Sequence, residues 1–270
     1  MKIPAHTPRR IVCLTEETTE TLYLLGEQDR IVGISGFTVR PPQARKEKPK
    51  VSAFTSAKID KILALEPDLV LGFSDIQADI AAQLIRHGIE VYVLNHRSVS
   101  GILGMIRTVG ALVGVPDKAA ILVATLQEGL EAAAQEAAAL PRRPRVYFEE
   151  WDEPQISGIR WVSELIEIAG GEDCYREFAG EPLAKNRIIA DPTDVVRRAP
   201  DIIIGSWCGK KFRPEQVAAR VGWEAIPAVR NGELHEIKSP EILQPGPAAL
   251  TDGLERLRTI IRDWAEKHGE

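Results

Sequence analysis

Pro67-Asp68-Leu69-Val70-Leu71-Gly72 and Pro200-Asp201-Ile202-Ile203-Ile204-Gly205 are two copies of one sequence pattern. Each copy follows a segment of helical character and continues into a short apolar run, which is typical of a buried strand. Shorter echoes keep the same order in the two halves, as with Arg10-Ile11-Val12 and Arg145-Val146-Tyr147. The chain is therefore predicted to be a duplicated α/β unit.

The apolar runs predict buried strands of parallel sheets that are covered by helices on both faces. The expected strands lie near residues 10–14, 31–34, 69–72 and 91–94 in the first half, and near 145–149, 202–205 and 234–237 in the second.

Residues 117–140 predict one long helix, because they are rich in Ala, Leu, Glu and Gln and contain a single glycine, Gly129, and no proline. A helix of this length spans roughly 36 Å at 1.5 Å per residue. The predicted fold is α/β, with two Rossmann-like lobes that have parallel sheets and a ligand cleft between them. The lobes are assigned to residues 1–116 and 142–270, and the connecting helix to residues 117–141.

Charge and composition exclude several classes of protein. The 34 basic and 39 acidic residues give a net charge of −5, and the short Arg142–Arg145 stretch is the longest basic run, so nucleic acid is not an expected partner. No stretch approaches the ~18 apolar residues that span a bilayer, and residues 1–10 do not resemble a signal peptide. Cys13, Cys174 and Cys208 form no CxxC pair, which argues against a disulfide framework and a cysteine-rich zinc site.

Five aromatic residues follow predicted strands or precede the first Pro-Asp helix: Phe37, Phe54, Phe73, Trp151 and Trp207. Ligands of open parallel sheets bind beyond the carboxyl ends of the strands. The set therefore predicts a large, flat and partly apolar ligand. The alternative for each ring is that it caps the hydrophobic core.

The turn after the first strand carries Glu16 and Glu17 and lacks a phosphate-binding glycine motif. These carboxylates either stabilise the N-terminus of a helix or contact polar groups of the ligand. His96 is the one histidine directly after a predicted strand, and no HExxH or HxH motif accompanies it. No metal site is predicted, and His96 stays the one candidate for a metal or haem ligand. No GxSxG motif and no assignable triad supports nucleophilic catalysis, and the residues alone leave an enzyme without a recognisable motif as an alternative.

Several of these segments together carry a likeness to a known family: Ile31-Val32-Gly33-Ile34-Ser35, Leu65-Glu66-Pro67-Asp68-Leu69-Val70, Ile168-Ala169-Gly170-Gly171 and Ala199-Pro200-Asp201-Ile202-Ile203. The chain resembles the solute-binding proteins of cobalamin, haem and siderophore ABC importers, in which one long helix joins two α/β lobes. It is most similar to the cobalamin-binding branch, through Gly36-Phe37 and Ser157-Gly158 among other positions.

This resemblance implies a non-catalytic receptor that is a monomer, has no intrinsic cofactor, and carries cobalamin or a related corrinoid to an ABC permease dimer. It also implies a periplasmic or other extracytoplasmic location, with the cytoplasm as the alternative. The rival functions are a haem or ferric-siderophore receptor on the same scaffold, and a cytoplasmic corrinoid carrier or metal-chelating enzyme.

The resemblance also assigns site residues. The corrinoid contacts of the family's first lobe fall on Phe37, Phe54 and Phe73. Those of the second lobe fall on non-aromatic residues, namely Gln155, Arg187 and Gln244, so Trp151 and Trp207 are expected to replace the missing rings. The carboxylates that dock the family on its transporter fall on Asp60 in the first half and on Thr193 in the second, with Asp191 and Asp194 beside it.

Overall fold

A computed structural model describes residues 7–269 of the chain and divides it into two compact units. The first unit contains the residues up to His96 together with Ser100–Leu126. The second contains Arg97–Val99 together with the residues from Gln127 onward. The domain boundaries at residues 116 and 141 stay a prediction.

The first unit is built on a five-stranded sheet of order β3-β2-β1-β4-β5, in which all neighbouring strands are parallel. Its strands are β1 (Ile11–Cys13), β2 (Ile31–Ser35), β3 (Lys50–Ser52), β4 (Leu69–Phe73) and β5 (Val91–Leu94).

From residue 7 to residue 138 the structure has six α-helices: α1 (Glu16–Leu24), α2 (Ala44–Glu47), α3 (Ile59–Leu63), α4 (Ala78–Arg86), α5 (Val99–Leu112) and α6 (Pro116–Ala138). Helix α6 is the predicted long helix. It begins with a proline, which is favoured at the first helical position because its missing N–H would have no partner there. The division between the two units falls inside α6, so this one helix carries the chain from the first unit into the second.

The second unit has a sheet of order β10-β9-β6-β7, with β8 beside β6. Its strands are β6 (Arg145–Asp152), β7 (Gln155–Ser157), β8 (Glu172–Asp173), β9 (Ile202–Gly205) and β10 (Leu234–Glu236). The pairs are parallel except for β6 with β7, which are antiparallel. The second sheet is therefore mixed, because β6 continues to Asp152 and turns back within two residues.

The helices of the second unit are α7 (Arg160–Ile168), α8 (Thr193–Arg198), α9 (Pro214–Ala218), α10 (Pro227–Asn231), α11 (Ser239–Ile242) and α12 (Leu254–His268). A π-helical turn over Ala249–Gly253 leads directly into α12. No helix within residues 7–269 combines the length and the apolar character needed to cross a membrane.

All seven predicted strands are confirmed. The strands that the pattern did not predict are β3, β7 and β8, which have only two or three residues each and include polar side chains. Such short segments have no measurable alternation of apolar and polar residues, so their pairing depends on neighbouring strands rather than on local pattern.

The repeated Pro-Asp motif has the same structural role in both units. In the first, the Asp68 carboxylate accepts hydrogen bonds from the backbone N–H groups of Arg9 (2.8 Å) and Arg10 (2.9 Å). In the second, the Asp201 carboxylate accepts one from the backbone N–H of Arg145 (2.9 Å). Each aspartate therefore fixes the start of the neighbouring strand, β1 or β6.

The residue before each of these prolines is left-handed. The φ angle is 45° at Glu66 and 47° at Ala199. A residue before proline is disfavoured in the right-handed helical region, so α3 and α8 cannot continue through the motif. The shared geometry explains why the motif ends a helix and starts a strand in both units.

Each unit has its own apolar core. In the first, a cluster of buried side chains from the sheet packs against α3 and α4: Val12, Leu14, Val51, Ile62, Val70, Ile80 and Leu84. In the second, the cluster is rich in aromatic rings and includes Tyr147, Tyr175, Trp207, Phe212 and Trp223. The rings of the second core lie close to the pocket described below.

Candidate functional site

Three aromatic residues of the first unit lie at the carboxyl ends of three strands of its parallel sheet. Phe37 lies after β2, Phe54 lies after β3, and Phe73 is the last residue of β4. Their exposure differs: Phe37 is 64% exposed, Phe54 is half-buried, and Phe73 is buried. The structure therefore places the three predicted rings at one edge of one sheet, with Phe37 presented to solvent.

His96 lies beside this group. Its ring meets the Phe73 ring edge-on, with the centroids 5.3 Å apart and the planes at 72°. The described residues, 7–269, contain no cluster of three or more His, Cys, Asp or Glu side chains arranged to hold a metal ion. The contact of His96 with Phe73 is a ring contact at the edge of the sheet.

Glu16 and Glu17 are buried at the start of α1. The Glu16 carboxylate accepts hydrogen bonds from the backbone N–H groups of Val39 and Arg40, the latter at 3.2 Å. These bonds anchor the loop that carries Phe37. Burial raises the pKa of the Glu16 carboxyl to about 7, although the two backbone hydrogen bonds oppose this shift.

Glu17 does not contact the loop. It accepts a hydrogen bond of 2.6 Å from the Thr15 hydroxyl, and burial raises the pKa of its carboxyl to about 7. The sequence left two roles open for these carboxylates, helix stabilisation and ligand contact. The structure adds a third role for Glu16, which is to fix the loop that carries Phe37.

The second unit contains a pocket of about 600 Å³ near the end of β6 and the segment that follows β9. Its lining includes two of the predicted ligand residues, Gln155 and Trp207. The complete lining is Asp152, Glu153, Pro154, Gln155, Ile188, Ile189, Ala190, Pro192, Trp207, Gln216, Arg220, Val221 and Trp223.

Trp207 combines a core position with a place in the pocket wall. It is buried, and its ring meets Phe212 edge-on at 5.1 Å between centroids. The Lys210 ammonium lies 5.1 Å from the centroid of Trp207 and 5.7 Å from that of Trp151, and it forms an ion pair with Asp152. One lysine therefore contacts the faces of both predicted tryptophans.

A buried ion pair supports the pocket wall. Arg220 donates two hydrogen bonds to the fully buried Glu149 carboxylate, at 2.6 and 2.9 Å, and Glu149 also accepts one from the Tyr147 hydroxyl at 2.9 Å. The Arg220 guanidinium lies over the Trp223 ring at 4.5 Å. Burial lowers the pKa of Arg220, but its bonds to Glu149 outweigh this effect and raise it.

Eleven of the thirteen lining residues were not predicted from the sequence, and Arg220 and Val221 are two of them. Arg220 and Val221 follow α9, far from any strand end, and Val221 is 98% exposed. A search limited to strand ends cannot find them. The local sequence offers one sign of this part of the pocket, which is that the apolar Val221 stands directly before Gly222, a glycine with a left-handed backbone.

The other predicted residues of the second unit have different surroundings. Arg187 is buried, and its guanidinium is bound by the Glu150 carboxylate (2.7 and 3.1 Å) and by the carbonyl of Ser157, so it supports the structure. Gln155 is also buried, and its Oε1 has no hydrogen-bond partner within residues 7–269. Gln244 is half-buried in the turn after α11 and is not part of the pocket lining.

The predicted docking carboxylates lie on exposed helix starts. Asp60 is in the first turn of α3, and Thr193 begins α8. Asp191 accepts hydrogen bonds from the backbone and hydroxyl of Thr193 and pairs with Arg197 at 3.0 Å. Asp194 pairs with Arg197 at 3.0 Å as well. The acids of the second unit are therefore already neutralised by an arginine of their own helix.

Comparison with known proteins places these features in a family. The model of the periplasmic binding protein family matches residues 11–241. An ABC transporter substrate-binding lipoprotein of Bacillus subtilis, YvrC, is 26% identical over 94% of this chain and 80% of its own length. A vitamin B12-binding protein of Vibrio campbellii is 25% identical over 93% of this chain and 90% of its own.

Solved structures share the fold. The periplasmic haem-binding protein RhuT of Roseiflexus superposes with a TM-score of 0.81 and is 24% identical, and the superposition covers 95% of this chain and 99% of RhuT. Both the sequence and the architecture lead to one assignment: the chain belongs to the periplasmic binding protein family.

Proposed function

We propose that this protein is a non-catalytic solute receptor that binds cobalamin or a related corrinoid outside the cytoplasm and delivers it to an ABC importer. The observation that carries the proposal is the aromatic edge of the first sheet, where Phe37 exposes 64% of its surface. Phe37 shares this edge with Phe54 and Phe73, and together they offer the apolar surface that a large, flat ligand would cover. The B12-binding relative supports the same ligand class.

Charge supports a corrinoid over haem. The cations nearest the pocket are engaged within the second unit, Arg220 by Glu149 and Lys210 by Asp152. Haem carries two carboxylates, and these would have to compete with the protein's own acids for those cations. A cobalamin presents amide groups around its ring, and amides require no uncompensated cation.

A haem receptor is the second candidate, and one contact favours it. The His96 ring adjoins Phe73 at the same sheet edge, and histidine is a common axial ligand of haem iron. Haem binding through His96 would be lost in His96→Ala, whereas corrinoid binding through the aromatic edge would survive that change.

The deciding experiment is calorimetric titration of the protein with cyanocobalamin and, separately, with haem. We expect 1:1 binding of cyanocobalamin and retention of its absorption spectrum after desalting. Phe37→Ala should weaken binding by about 1–3 kcal/mol, or roughly tenfold to a hundredfold. Ile85→Ala is the matched control, because Ile85 is an equally exposed apolar residue on α4, away from the aromatic edge. No heat with cyanocobalamin alongside a clear signal with haem would refute the corrinoid assignment.

Docking on the transporter completes the proposal. Asp60 lies in α3, Thr193 and Asp194 lie in α8, and Asp191 lies just before α8, so these residues hold corresponding places ahead of the two Pro-Asp motifs. We assign the contact of the first unit to Asp60. In the second unit, Arg197 would have to release Asp191 or Asp194 before either could pair with a transporter arginine.

A further inference from the structure

Gln77 is a fully buried side chain at the aromatic edge of the first sheet. Its Nε2 group donates to the carbonyl of Leu14 at 3.2 Å and to the carbonyl of Phe54 at 3.0 Å. Its Oε1 accepts a hydrogen bond of 2.9 Å from the backbone N–H of Phe73. One amide therefore connects the end of β1, the segment after β3 and the end of β4.

The turn beside it has an unusual backbone. Ser74 has φ 62° and ψ 177°, a region that only glycine occupies readily and that costs about 1–3 kcal/mol for other residues. The Ser74 N–H donates to the carbonyl of Leu94 at 2.7 Å, and its Oγ accepts from the N–H of Ile76 at 3.3 Å. Such a conformation persists only where the surroundings hold it, and it places Gln77 under the strand ends.

Gly72 fits the same arrangement. A Cβ atom at this position would lie 3.1 Å from Gln77 Oε1 and would push the amide away from its partners. The absence of a side chain at residue 72 therefore leaves the space that the Gln77 amide occupies.

From these contacts we infer that Gln77 is a positioning residue for ligand binding, which holds the segments of Phe54 and Phe73 in a fixed relation before the ligand arrives. The inference rests on the proposed function, in which these two residues contact the ligand. Fixing both segments in the free protein lowers the ordering entropy that binding would otherwise cost.

The chemistry at this position requires a glutamine. Two carbonyls need two donors, one N–H needs one acceptor, and a primary amide supplies both from a single group. A methionine of similar length supplies none of the three bonds. A glutamate keeps the acceptor for Phe73 but turns a carboxylate oxygen toward the two carbonyls, unless it is protonated and can donate to one of them.

The test compares Gln77→Met, Gln77→Glu and the control Gln83→Met for cyanocobalamin affinity and amide hydrogen exchange. Gln83 lies on α4, is exposed, and bonds only to the Asp79 carbonyl of its own helix. We expect Gln77→Met to weaken binding at least tenfold and Gln83→Met to leave it within twofold. Faster exchange at the Phe73 amide and in residues 53–57 should accompany the loss.

Two further measurements separate positioning from general destabilisation. In a Phe54→Ala background, Gln77→Met should cause a smaller loss of affinity than in the wild type, because one of the two rings that it positions is gone. The affinity of Gln77→Glu relative to the wild type should improve at least threefold from pH 8 to pH 5, as protonation restores one donor. If Gln77→Met fails to fold, Gln77→Glu carries the test.

The outcomes distinguish an error in the proposed ligand from an error in the role of Gln77. Failure of the wild type to bind cyanocobalamin overturns the proposed ligand. The hydrogen-exchange data still show whether Gln77 fixes the segments of Phe54 and Phe73. Normal affinity in a folded Gln77→Met or Gln77→Glu, or unchanged exchange at Phe73, overturns the role of Gln77. Equal losses with and without Phe54 would also overturn it.

Discussion

Glu17 should make the protein less stable as the pH rises from 4.5 to 7. Its carboxyl is buried at the start of α1, and burial raises the pKa from the ordinary value of 4.5 to about 7. In that interval the unfolded chain has lost the proton and the folded chain retains it. The unfolded state therefore binds fewer protons, and the free energy of unfolding falls with increasing pH.

The magnitude follows from the two pKa values. A difference of about 2.5 pH units at about 1.36 kcal/mol per unit corresponds to roughly 3 kcal/mol. Glu17→Gln removes this dependence and keeps an oxygen for the Thr15 hydroxyl. Relative to the wild type, the variant should gain roughly 3 kcal/mol between pH 4 and pH 8, whatever its stability at pH 4.

Urea unfolding at half-unit steps from pH 4 to pH 8.5 measures this gain. Glu128→Gln on the exposed face of α6 is the matched control, and its curve should run parallel to that of the wild type. The Glu16 carboxyl contributes to both curves, and its contribution is smaller in the variant because the Glu17 charge is one of the minor causes that raise the pKa of Glu16. A relative gain below about 1 kcal/mol, or a carbon-13 titration of Glu17 with its midpoint near pH 4.5, would refute the reasoning.

Three further changes test other parts of the structure. Asp201→Asn should lower the free energy of unfolding by about 1–3 kcal/mol in urea titrations, because it weakens a charge-assisted bond that fixes the start of β6. Arg220→Leu should cost about 3–5 kcal/mol by leaving Glu149 buried and unpaired, and adding Glu149→Leu should restore part of the loss. Asp60→Lys should abolish stimulation of the cognate importer's ATPase at low salt while cyanocobalamin affinity stays within about twofold, or roughly 0.4 kcal/mol; intact stimulation would remove Asp60 from the docking contact.

The sequence predicted the parts of the fold that depend on local pattern. The apolar run at Ile202–Gly205 and the helix over Pro116–Ala138 are long or uniform enough to be recognised without a partner. The hairpin strand Gln155–Ser157 is not, because its identity as a strand comes from pairing with β6. Pairing is a tertiary property that three residues cannot encode alone.

The candidate site was also predictable only where it depends on local sequence pattern. The rule that ligands lie beyond strand ends located Phe37 and Phe73, since the position of a strand end can be derived from the apolar run before it. The rule says nothing about what holds those rings. Gln77 is recognisable only when its three partners, distant in sequence, are seen together.

The two units share the contact that fixes a strand start and differ in the contacts beyond their strand ends. Asp68 and Asp201 fix the start of a strand in the same manner. Beyond the strand ends, the first unit holds its rings with the neutral amide of Gln77, whereas the second holds its pocket wall with the ion pair of Arg220 and Glu149. The two units therefore start a strand with the same kind of contact and stabilise the residues beyond their strand ends with different kinds.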